Sequence, residues 1–590
     1  MLLNLAIVVG LSSLGLCATY GSIQELPNIK WDFIIVGGGT AGSVLASRLT
    51  EVPSFSVLVI EAGPTNEGVA ESIIPGLMAR TALSRYDWNF TTVPQKGLNG
   101  NSITFQRGHI LGGSSSVNGM VYTRGPASDY DRLARISGDS GWSWENIQSY
   151  LKKNEKLEPP ADDHDVEGEF DPAVHSLTGK VAVTLPNNLS PAVDAATLQA
   201  SKELGGDFQF NLDMNSGKPL GLCWLQSTIG HDGTRSSSAT SYLDNQTKAR
   251  KNLHIVTDTF VTRVLKTPGT KSLTIRSVEI RSPNTSDTVV LTASKEVILA
   301  GGSIGTPHIL LHSGIGDQSE LKSLNIETIL HNPSVGKNLT DHAAAPVAFS
   351  LAPNSIDLGP WVNLGTDPAL QAQALALWNA NRTGPYVEPT PTHHIAWLRL
   401  PDNSSIIEQF GDPSSGRESA HIEIILGTFE GIYAAVPILV SPASRGSLMI
   451  GSNNPFDNPL INPGYYTSEF DILTIREGIK SAVKFSTAPV WENVLTGLIA
   501  PLANATTDAE IDAAIRNNTL SGLHPVGTAA ISPKNASWGV VDPNLLVKHV
   551  SGLRIVDASV LPYIPSAHTQ VPVYVVAERA ADMIKRKWHV

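Results

Sequence analysis

Residues 31–42 read Trp-Asp-Phe-Ile-Ile-Val-Gly-Gly-Gly-Thr-Ala-Gly, and this stretch decides the fold class. A short apolar run, typical of a buried strand, leads directly into glycines with the GxGxxG spacing, and a helical pattern follows. In that arrangement Gly37 permits a tight turn, Gly39 lets the backbone approach a pyrophosphate, and Gly42 lets the helix pack on the strand. The cofactor contacts predicted in this stretch are Gly37, Gly39, Thr40, Ala41 and Gly42.

A second apolar strand follows at residues 56–60 and ends at Glu61, 19 positions after Gly42. A carboxylate at this distance is placed to accept hydrogen bonds from the ribose hydroxyls of a dinucleotide. Strand, glycine turn, helix, strand and acid together predict an α/β dinucleotide-binding domain.

Length and composition limit the number of domains and the classes of protein that the chain could belong to. With 590 residues, the chain is expected to form two large domains, or one domain with a long insertion. It has 42 Lys+Arg against 54 Asp+Glu, a net charge of −12, and lacks a basic block, which excludes a nucleic-acid-binding protein. The pairs of acids and histidines lack the ligand spacing of a closed metal site, so no metal is expected.

The first residues and the sequons predict export. The apolar run Met1–Cys17 is too short to span a bilayer and suits a signal peptide over residues 1–18, with a buried N-terminal helix as the alternative. Without Cys17, Cys223 has no partner for an intrachain disulfide and is expected to be a buried apolar residue. We therefore expect a secreted, extracellular glycoprotein with no membrane anchor. Its candidate N-glycan sites are Asn89, Asn188, Asn245, Asn284, Asn338, Asn381, Asn403, Asn504, Asn517 and Asn535.

Further motifs lie far apart along the chain. They are the glycine-serine loop GHILGGSSSVN (108–118), GSIGTPHILLHSGIG (302–316), VGKNLTDH (335–342), HPVGT (524–528), GLRIVDASVLP (552–562) and AHTQ (567–570). On these motifs the chain resembles the glucose–methanol–choline (GMC) oxidoreductase family of FAD enzymes from residue 31 to residue 590. Within that family it is most similar to fungal aryl-alcohol oxidases and to pyranose and oligosaccharide dehydrogenases.

The resemblance implies a Rossmann-like FAD-binding domain assembled from discontinuous segments. It also implies an α+β substrate domain with an antiparallel sheet backing the flavin. The expected FAD-binding segments are 30–160, 226–345 and 536–590, and the expected substrate segments are 161–225 and 346–535. Further FAD contacts are expected at Gly113, Ser114, Asn118, Val261, Asp557, Ala558, Thr569 and Gln570.

FAD is expected to be bound without a covalent bond. Val117 occupies the position at which pyranose dehydrogenases carry a flavin-linking histidine, and a valine side chain has no nucleophile. His109 stands where the family usually carries Arg or Lys, and it is the one outside candidate for such a bond.

The expected chemistry is oxidation of an alcohol, which loses a hydroxyl proton to a base and a hydride to flavin N5. Histidine is the natural base near neutral pH. His524 and His568 both lie in family motifs. The resemblance implies that His524 is the base and that His568 holds the alcohol oxygen with it. Thr569 is a plausible N-cap of the helix that follows, which tolerates Pro572 in its first turn.

The substrate pocket is expected to be wide. Gly119 and Leu523 occupy positions at which aryl-alcohol oxidases carry a tyrosine and a phenylalanine, and Phe429 and Tyr433 are left as possible gates. These positions allow an aryl alcohol, a sugar or an oligosaccharide as substrate, with oxygen or a quinone as electron acceptor, and a monomer is expected. A flavin-containing lyase that cleaves cyanohydrins without net redox chemistry is the main alternative. A glycoprotein that only binds ligands is disfavoured, because both histidines are present.

Overall fold

The computed structural model describes residues 19–281, 288–389, 392–429 and 431–590. The predicted signal peptide and the sequon at Asn284 lie outside the described residues. Across that part of the chain the strands are β1 (Thr19–Tyr20), β2 (Trp31–Val36), β3 (Val57–Ile60), β4 (Glu155–Leu157), β5 (Val181–Val183), β6 (Gly221–Trp224), β7 (Leu253–Val256), β8 (Phe260–Lys266), β9 (Ile275–Arg281), β10 (Thr288–Leu299), β11 (Ile315–Gly316), β12 (Leu330–His331), β13 (Lys337–Leu339), β14 (Ala343–Ala344), β15 (Val347–Leu351), β16 (His394–Leu398), β17 (Ile422–Phe429), β18 (Ile432–Leu439), β19 (Gly446–Met449), β20 (Leu460–Asn462), β21 (Leu495–Leu498), β22 (Leu520–Ser521) and β23 (Leu553–Ile555). The α-helices are α1 (Thr40–Leu49), α2 (Ala70–Ile73), α3 (Ala127–Ser137), α4 (Trp144–Asn154), α5 (Pro191–Leu204), α6 (Ser238–Ser241), α7 (Asn245–Lys248), α8 (Gly302–His312), α9 (Gln318–Ser323), α10 (Pro368–Asn381), α11 (Ser405–Phe410), α12 (Glu469–Ser486), α13 (Asp508–Asn518) and α14 (Gln570–Lys587).

The first sheet has the order β1-β7-β3-β2-β10-β9-β8, and β23 pairs with β10. Its centre is parallel, with Phe33 opposite Val57 and Val36 opposite Ile60, whereas β8, β9 and the start of β10 are antiparallel. The central strands are almost wholly buried, as expected for a parallel sheet covered on both faces. Helix α1 packs against α14, so the two ends of the chain share one core.

The glycine turn between β2 and α1 has the geometry that its sequence predicts. Gly37 has a φ of +98°, and a Cβ there would lie 2.5 Å from the carbonyl oxygen of Ala300. A Cβ on Gly42 would lie 1.9 Å from the carbonyl oxygen of Gly37. Glycine at the first position therefore permits the turn, and glycine at the third permits close packing of helix on strand.

The second sheet is antiparallel and has the order β21-β15-β18-β17-β16-β6, and β14 pairs with β18 and β22. Helix α12 covers one face of β17 and β18, and the other face looks onto the glycine turn and the loop at residues 108–118 through a shared cavity. Cys223 lies in β6 and is fully buried, as predicted. The expected antiparallel sheet behind the cofactor site is therefore confirmed.

Strand contacts join the predicted domain segments. Strand β19, inside the predicted substrate segment 346–535, pairs with β13 of the predicted FAD-binding segment 226–345. Val526 of the same substrate segment pairs with Thr340 of that FAD-binding segment. Both contacts join strands that are far apart in sequence, and no local pattern signals such pairing.

No helix among the described residues is both long and apolar enough to cross a membrane. The same residues contain no group of three or more His, Cys, Asp or Glu side chains that could hold a metal ion.

Candidate active site

A cavity of about 1160 Å³ lies between the carboxyl ends of β2, β3 and β10 and the open face of β17 and β18. Ligand sites in open α/β sheets lie at this edge. The volume exceeds the usual range for a single small ligand, so a cofactor and a substrate have room together. The predicted site residues that line it are Gly37, Gly39, Thr40, Ala41, Glu61, Gly113, Ser114, Asn118, Gly119, Val261, Phe429, Leu523, His524, Asp557, Ala558, His568, Thr569 and Gln570.

Two predicted residues do not reach the cavity. Gly42 packs against the backbone of Gly37, so it shapes the turn rather than contacting a ligand. Tyr433 is corrected as a pocket gate: it is fully buried, and its ring lies 4.8 Å from that of Trp491. Strand alternation explains this, because Val436 and Ile438 of β18 line the cavity and a residue at an odd position faces α12 and its neighbours.

Glu61 stands at the dinucleotide end of the cavity with both carboxylate oxygens held. The backbone N–H groups of Gly38 and Gly63 each donate to it at 2.8 Å. Burial raises the pKa of this carboxyl to about 7, with the two backbone donors acting in the opposite direction. The fixed acceptor is suited to ribose hydroxyls, as its position in the sequence predicts.

Asp557 joins the turn after β23 to the start of α8 at the edge of the cavity. Its carboxylate accepts from the N–H of Gly302 at 3.0 Å and from the hydroxyl of Thr306 at 2.6 Å, both in α8. It also accepts from the N–H of Ser559 at 2.8 Å. Asp557 therefore shapes the cofactor site by holding backbone, in addition to lining the cavity.

The glycine-serine loop is joined to the start of α14 by a buried polar chain. Asn118 donates to the Gln570 side chain at 2.7 Å and accepts from Arg235 at 2.8 Å. Arg235 also donates to the Asn118 carbonyl at 2.7 Å. Thr569 occupies the N-cap position, as predicted, but its side chain forms no capping hydrogen bond, and the start of the helix lines the cavity.

The residues present fit an FAD. A Cβ on Gly39 would come no closer than 3.7 Å to any protein atom, so protein packing does not demand glycine there. The open space lies on the cavity side, where a pyrophosphate would meet the start of α1. Val117 packs in a small apolar cluster with Val69 and Ile110, and it offers no atom for a covalent link.

The two predicted catalytic histidines meet in the cavity. The ring centroids of His524 and His568 are 4.5 Å apart, and the rings are inclined at 70°. They come from a turn after β22 and from the residue next to the N-cap of α14, 44 positions apart in sequence. The fold thus brings together the pair that the motifs predict.

A third histidine determines which nitrogen of His524 is free. His342 is fully buried, and its Nε2 lies 3.1 Å from the Val440 carbonyl, which can only accept, so this nitrogen carries the proton. The Nδ1 of neutral His342 is then an acceptor, and it lies 3.0 Å from Nδ1 of His524. His524 therefore donates from Nδ1 and keeps the lone pair of Nε2 for a substrate.

His568 has a different partner. Its Nε2 lies 2.8 Å from the carboxylate of Glu423, which is fully buried in β17. The other oxygen of Glu423 has no hydrogen-bond partner among the described residues. A carboxylate can only accept, so Nε2 of His568 donates to Glu423 and the orientation of the ring is fixed through that nitrogen.

Electrostatics keep the first histidine neutral. Burial, helped by the nearby His568, His342 and Arg107, holds the pKa of His524 well below its usual value. Burial and His568 also lower the pKa of His342 to about 3. At neutral pH His524 is therefore unprotonated and able to accept a proton.

Three functional residues of this site were not predicted from sequence, namely His342, Glu423 and Arg107. Glu423 has a sequence signal, because it is a lone acid in the apolar strand HIEIILG, where an unpaired charge would be costly. His342 lies in the quoted motif VGKNLTDH, but nothing in the motif says that it contacts His524. Arg107 directly precedes the glycine-serine loop and carries no signal of its own.

Comparison with known proteins agrees with the site. Models of the GMC oxidoreductase family match residues 31–344 and 442–577. The chain is 40% identical to pyranose dehydrogenase 3 of Leucoagaricus meleagris, over 98% of each chain, and 42% identical to pyranose dehydrogenase of Agaricus campestris, over 97% of this chain and 96% of that one. A solved fungal aryl-alcohol oxidase superposes with a TM-score of 0.83 at 26% identity, over 95% of this chain and all of that one. The family resemblance and the FAD cofactor are confirmed: the chain belongs to the GMC oxidoreductase family of FAD enzymes that act on CH–OH donors.

Proposed function

We propose that this protein oxidises a hydroxyl group of a sugar or oligosaccharide, with His524 as the base. The proposal rests on one observation: a neutral imidazole with a free Nε2 stands beside a second imidazole that contacts a carboxylate, inside the FAD cavity. FAD, when bound, supplies the hydride acceptor at its N5. The chain itself has to bind the alcohol, orient its carbon and take its hydroxyl proton.

The two histidines divide this work. The substrate hydroxyl donates to Nε2 of His524 and passes its proton there as the hydride leaves the carbon. His568 holds the same hydroxyl group beside His524, and the Glu423 carboxylate fixes the orientation of its ring through Nε2. General-base catalysis of this kind contributes typically about 100- to 10,000-fold in rate.

The pocket favours a substrate larger than a benzylic alcohol. A Cβ on Gly119 would meet no atom within 4 Å, so the space that a tyrosine would fill is open. Leu523 stands beside His524 in place of a phenylalanine. The relatives at 40–42% identity are named pyranose dehydrogenases, which supports a sugar as substrate.

A quinone is the proposed electron acceptor. The relatives just described are named dehydrogenases, and Leu523 replaces the aromatic residue that is expected to help oxygen approach in the related oxidases. We propose that FAD is held without a covalent bond, so that acid precipitation releases free yellow flavin. Flavin that stays with the precipitated chain would contradict this and indicate His109 as the linking residue.

We also propose that the protein is a secreted, N-glycosylated monomer. Eight sequon asparagines among the described residues are exposed, which supports glycosylation there. Asn338 is half-buried and donates its side-chain amide to the Pro562 carbonyl at 2.8 Å, so we expect no glycan on it. Mass mapping of the secreted protein after deglycosylation tests whether the exposed sequons carry glycans and Asn338 does not. A glycan on Asn338 would contradict the expectation for that residue.

The deciding experiment mixes the holoenzyme anaerobically with benzylic alcohols, monosaccharides and oligosaccharides and follows the flavin absorbance. Bleaching by sugars, followed by faster recovery with a quinone than with oxygen, is expected. Aldehyde release from a cyanohydrin with the flavin still oxidised would instead support the lyase. Gly119→Tyr is expected to slow reduction by an oligosaccharide at least about tenfold, and reduction by benzyl alcohol much less, because the new ring fills the open space.

A further inference from the structure

The turn that carries His524 contains a leucine in a disfavoured backbone conformation. Leu523 has a φ of +61°, in the left-handed region that favours glycine, although Gly522 stands directly before it. A leucine remains there only when its surroundings hold it. Strain of this kind next to a catalytic residue calls for a physical restraint.

The restraint acts on one peptide group. The Leu523 carbonyl accepts from Nη2 of Arg107 at 2.6 Å, and the N–H of His524, in the same peptide group, donates to Asp341 at 2.6 Å. The two polar atoms of that peptide are therefore held from opposite sides. Rotation of the peptide plane would break both hydrogen bonds and would turn the Cα–Cβ direction of His524.

Asp341 also fixes the start of the turn. Its carboxylate accepts from the Ser521 hydroxyl at 2.5 Å, and the N–H of Leu523 donates back to that hydroxyl at 2.9 Å. Arg107 holds the Leu523 carbonyl from the side of the cavity, which this residue lines. The chain that bears Arg107 is itself fixed, because the Arg107 N–H donates to Asp87 at 3.1 Å.

We propose that Arg107 is a positioning residue for the catalytic base: its guanidinium holds the carbonyl of left-handed Leu523 and so fixes the turn that presents His524. The inference rests on the proposed function only in taking His524 as the base. Arg107 adds a positive charge near the same imidazole, which the rings of His342 and His568 also face, and Asp341 is the nearby carboxylate. Position and charge are separate effects, and they can be measured separately.

The test is a double-mutant cycle on the FAD-loaded enzyme. The rate of anaerobic flavin reduction is measured for the wild type, Arg107→Met, Leu523→Gly and the double variant. Glycine adopts the left-handed region without penalty, so the turn no longer needs the guanidinium. We expect Arg107→Met to slow reduction about 30-fold with Leu523 present and less than about threefold in the Leu523→Gly background, which lies within the range of coupling between contacting residues.

An equal cost in both backgrounds would overturn the proposal, since Arg107 would then act independently of the turn. Crystal structures supply a readout that needs no substrate: Leu523 is expected to leave the left-handed region in Arg107→Met. A turn unchanged in that variant would also overturn it. If no alcohol reduces even the wild-type flavin, the proposed function fails, and the structures still decide the role of Arg107.

A control variant and a pH profile separate the effect of Arg107 on position from its effect on charge. Arg250→Met removes a guanidinium that donates to the Ser47 carbonyl at 2.5 Å, remote from the cavity, and is expected to leave the rate within about twofold. The pH profile of reduction reports the charge: Arg107→Met is expected to raise the apparent pKa of the base both in the wild-type background and in the Leu523→Gly background. If the Leu523→Gly background restores both the rate of reduction and the apparent pKa of the base in Arg107→Met, position and charge are not separate effects.

Discussion

Replacing His342 by leucine tests the assignment of Nε2 as the catalytic nitrogen of His524. In the native site, Nδ1 of His524 donates to Nδ1 of His342 at 3.0 Å, and His342 donates to the Val440 carbonyl. Leucine removes the acceptor and leaves a buried donor unpaired, which costs about 1 to 3 kcal/mol. His524 can relieve that cost by moving its proton to Nε2, which removes the lone pair that the substrate needs.

The expected effect follows from that free energy. At 1.36 kcal/mol per tenfold, the rate of flavin reduction is expected to fall about 5- to 150-fold in His342→Leu, with the FAD content unchanged. His342→Gln keeps an amide oxygen that can accept from His524, and it is expected to recover much of the rate. The assay is anaerobic stopped-flow reduction with the best alcohol of the substrate panel.

The chain offers a matched control for this change. His308 and His312 form a second buried histidine pair with their Nε2 atoms 3.1 Å apart, and His312 does not line the cavity. His312→Leu removes a histidine contact of similar length and is expected to leave reduction within about twofold. Reduction of His342→Leu at the wild-type rate between pH 6 and 8 would refute the assignment of Nε2.

The remaining predictions concern the base, the cofactor and the dependence of stability on pH. His524→Ala is expected to slow flavin reduction about 100- to 10,000-fold, and His568→Ala is expected to slow it less. The double variant should be little worse than His524→Ala, because both rings serve one hydroxyl group; multiplicative losses would contradict this. Glu61→Ala is expected to lose FAD on dialysis, measured as the ratio of flavin to protein absorbance, and a variant that keeps stoichiometric flavin would refute the ribose contact. His393 lies between Asp194 and Glu388, at 2.9 and 3.0 Å, and these carboxylates raise its pKa to about 10 against the opposing effect of burial. The folded-state pKa lies above the unfolded value of about 6.5, so this stabilisation is fully present below pH 6.5 and is lost as pH rises to about 10. The melting temperature of the wild type should therefore fall over that range more steeply than that of His393→Phe, and parallel curves would contradict the ion pair.

Much of the cofactor site could be predicted because its requirements are local. The glycine spacing predicts the turn, because a Cβ at Gly37 or Gly42 would collide with nearby backbone. The position of Glu61 directly after a strand predicts an acceptor for the ribose hydroxyls. Gly42 belongs to the same motif but packs against the backbone of Gly37 and does not line the cavity. The contact roles of individual FAD residues stay predictions that rest on cavity lining.

The partners of the catalytic histidines could not be predicted, because they come from remote segments. His342 precedes β14 and Glu423 lies in β17, and only pairing of the second sheet brings them to the rings of His524 and His568. The error at Tyr433 has a related cause. Without the register of β17 and β18, sequence cannot tell which alternate residues face the cavity and which face α12.

Those remote partners hold two chemically identical side chains by different ring nitrogens. His342 is neutral and offers only a lone pair to His524, so His524 remains unprotonated on the nitrogen that faces a substrate. Glu423 accepts from Nε2 of His568, so this ring is held by the other type of nitrogen than His524, which is held by Nδ1. The nitrogen by which each ring is held is thus determined by the second sheet, which carries Glu423 in β17 and the Val440 carbonyl directly after β18, rather than by the motifs that identify the histidines.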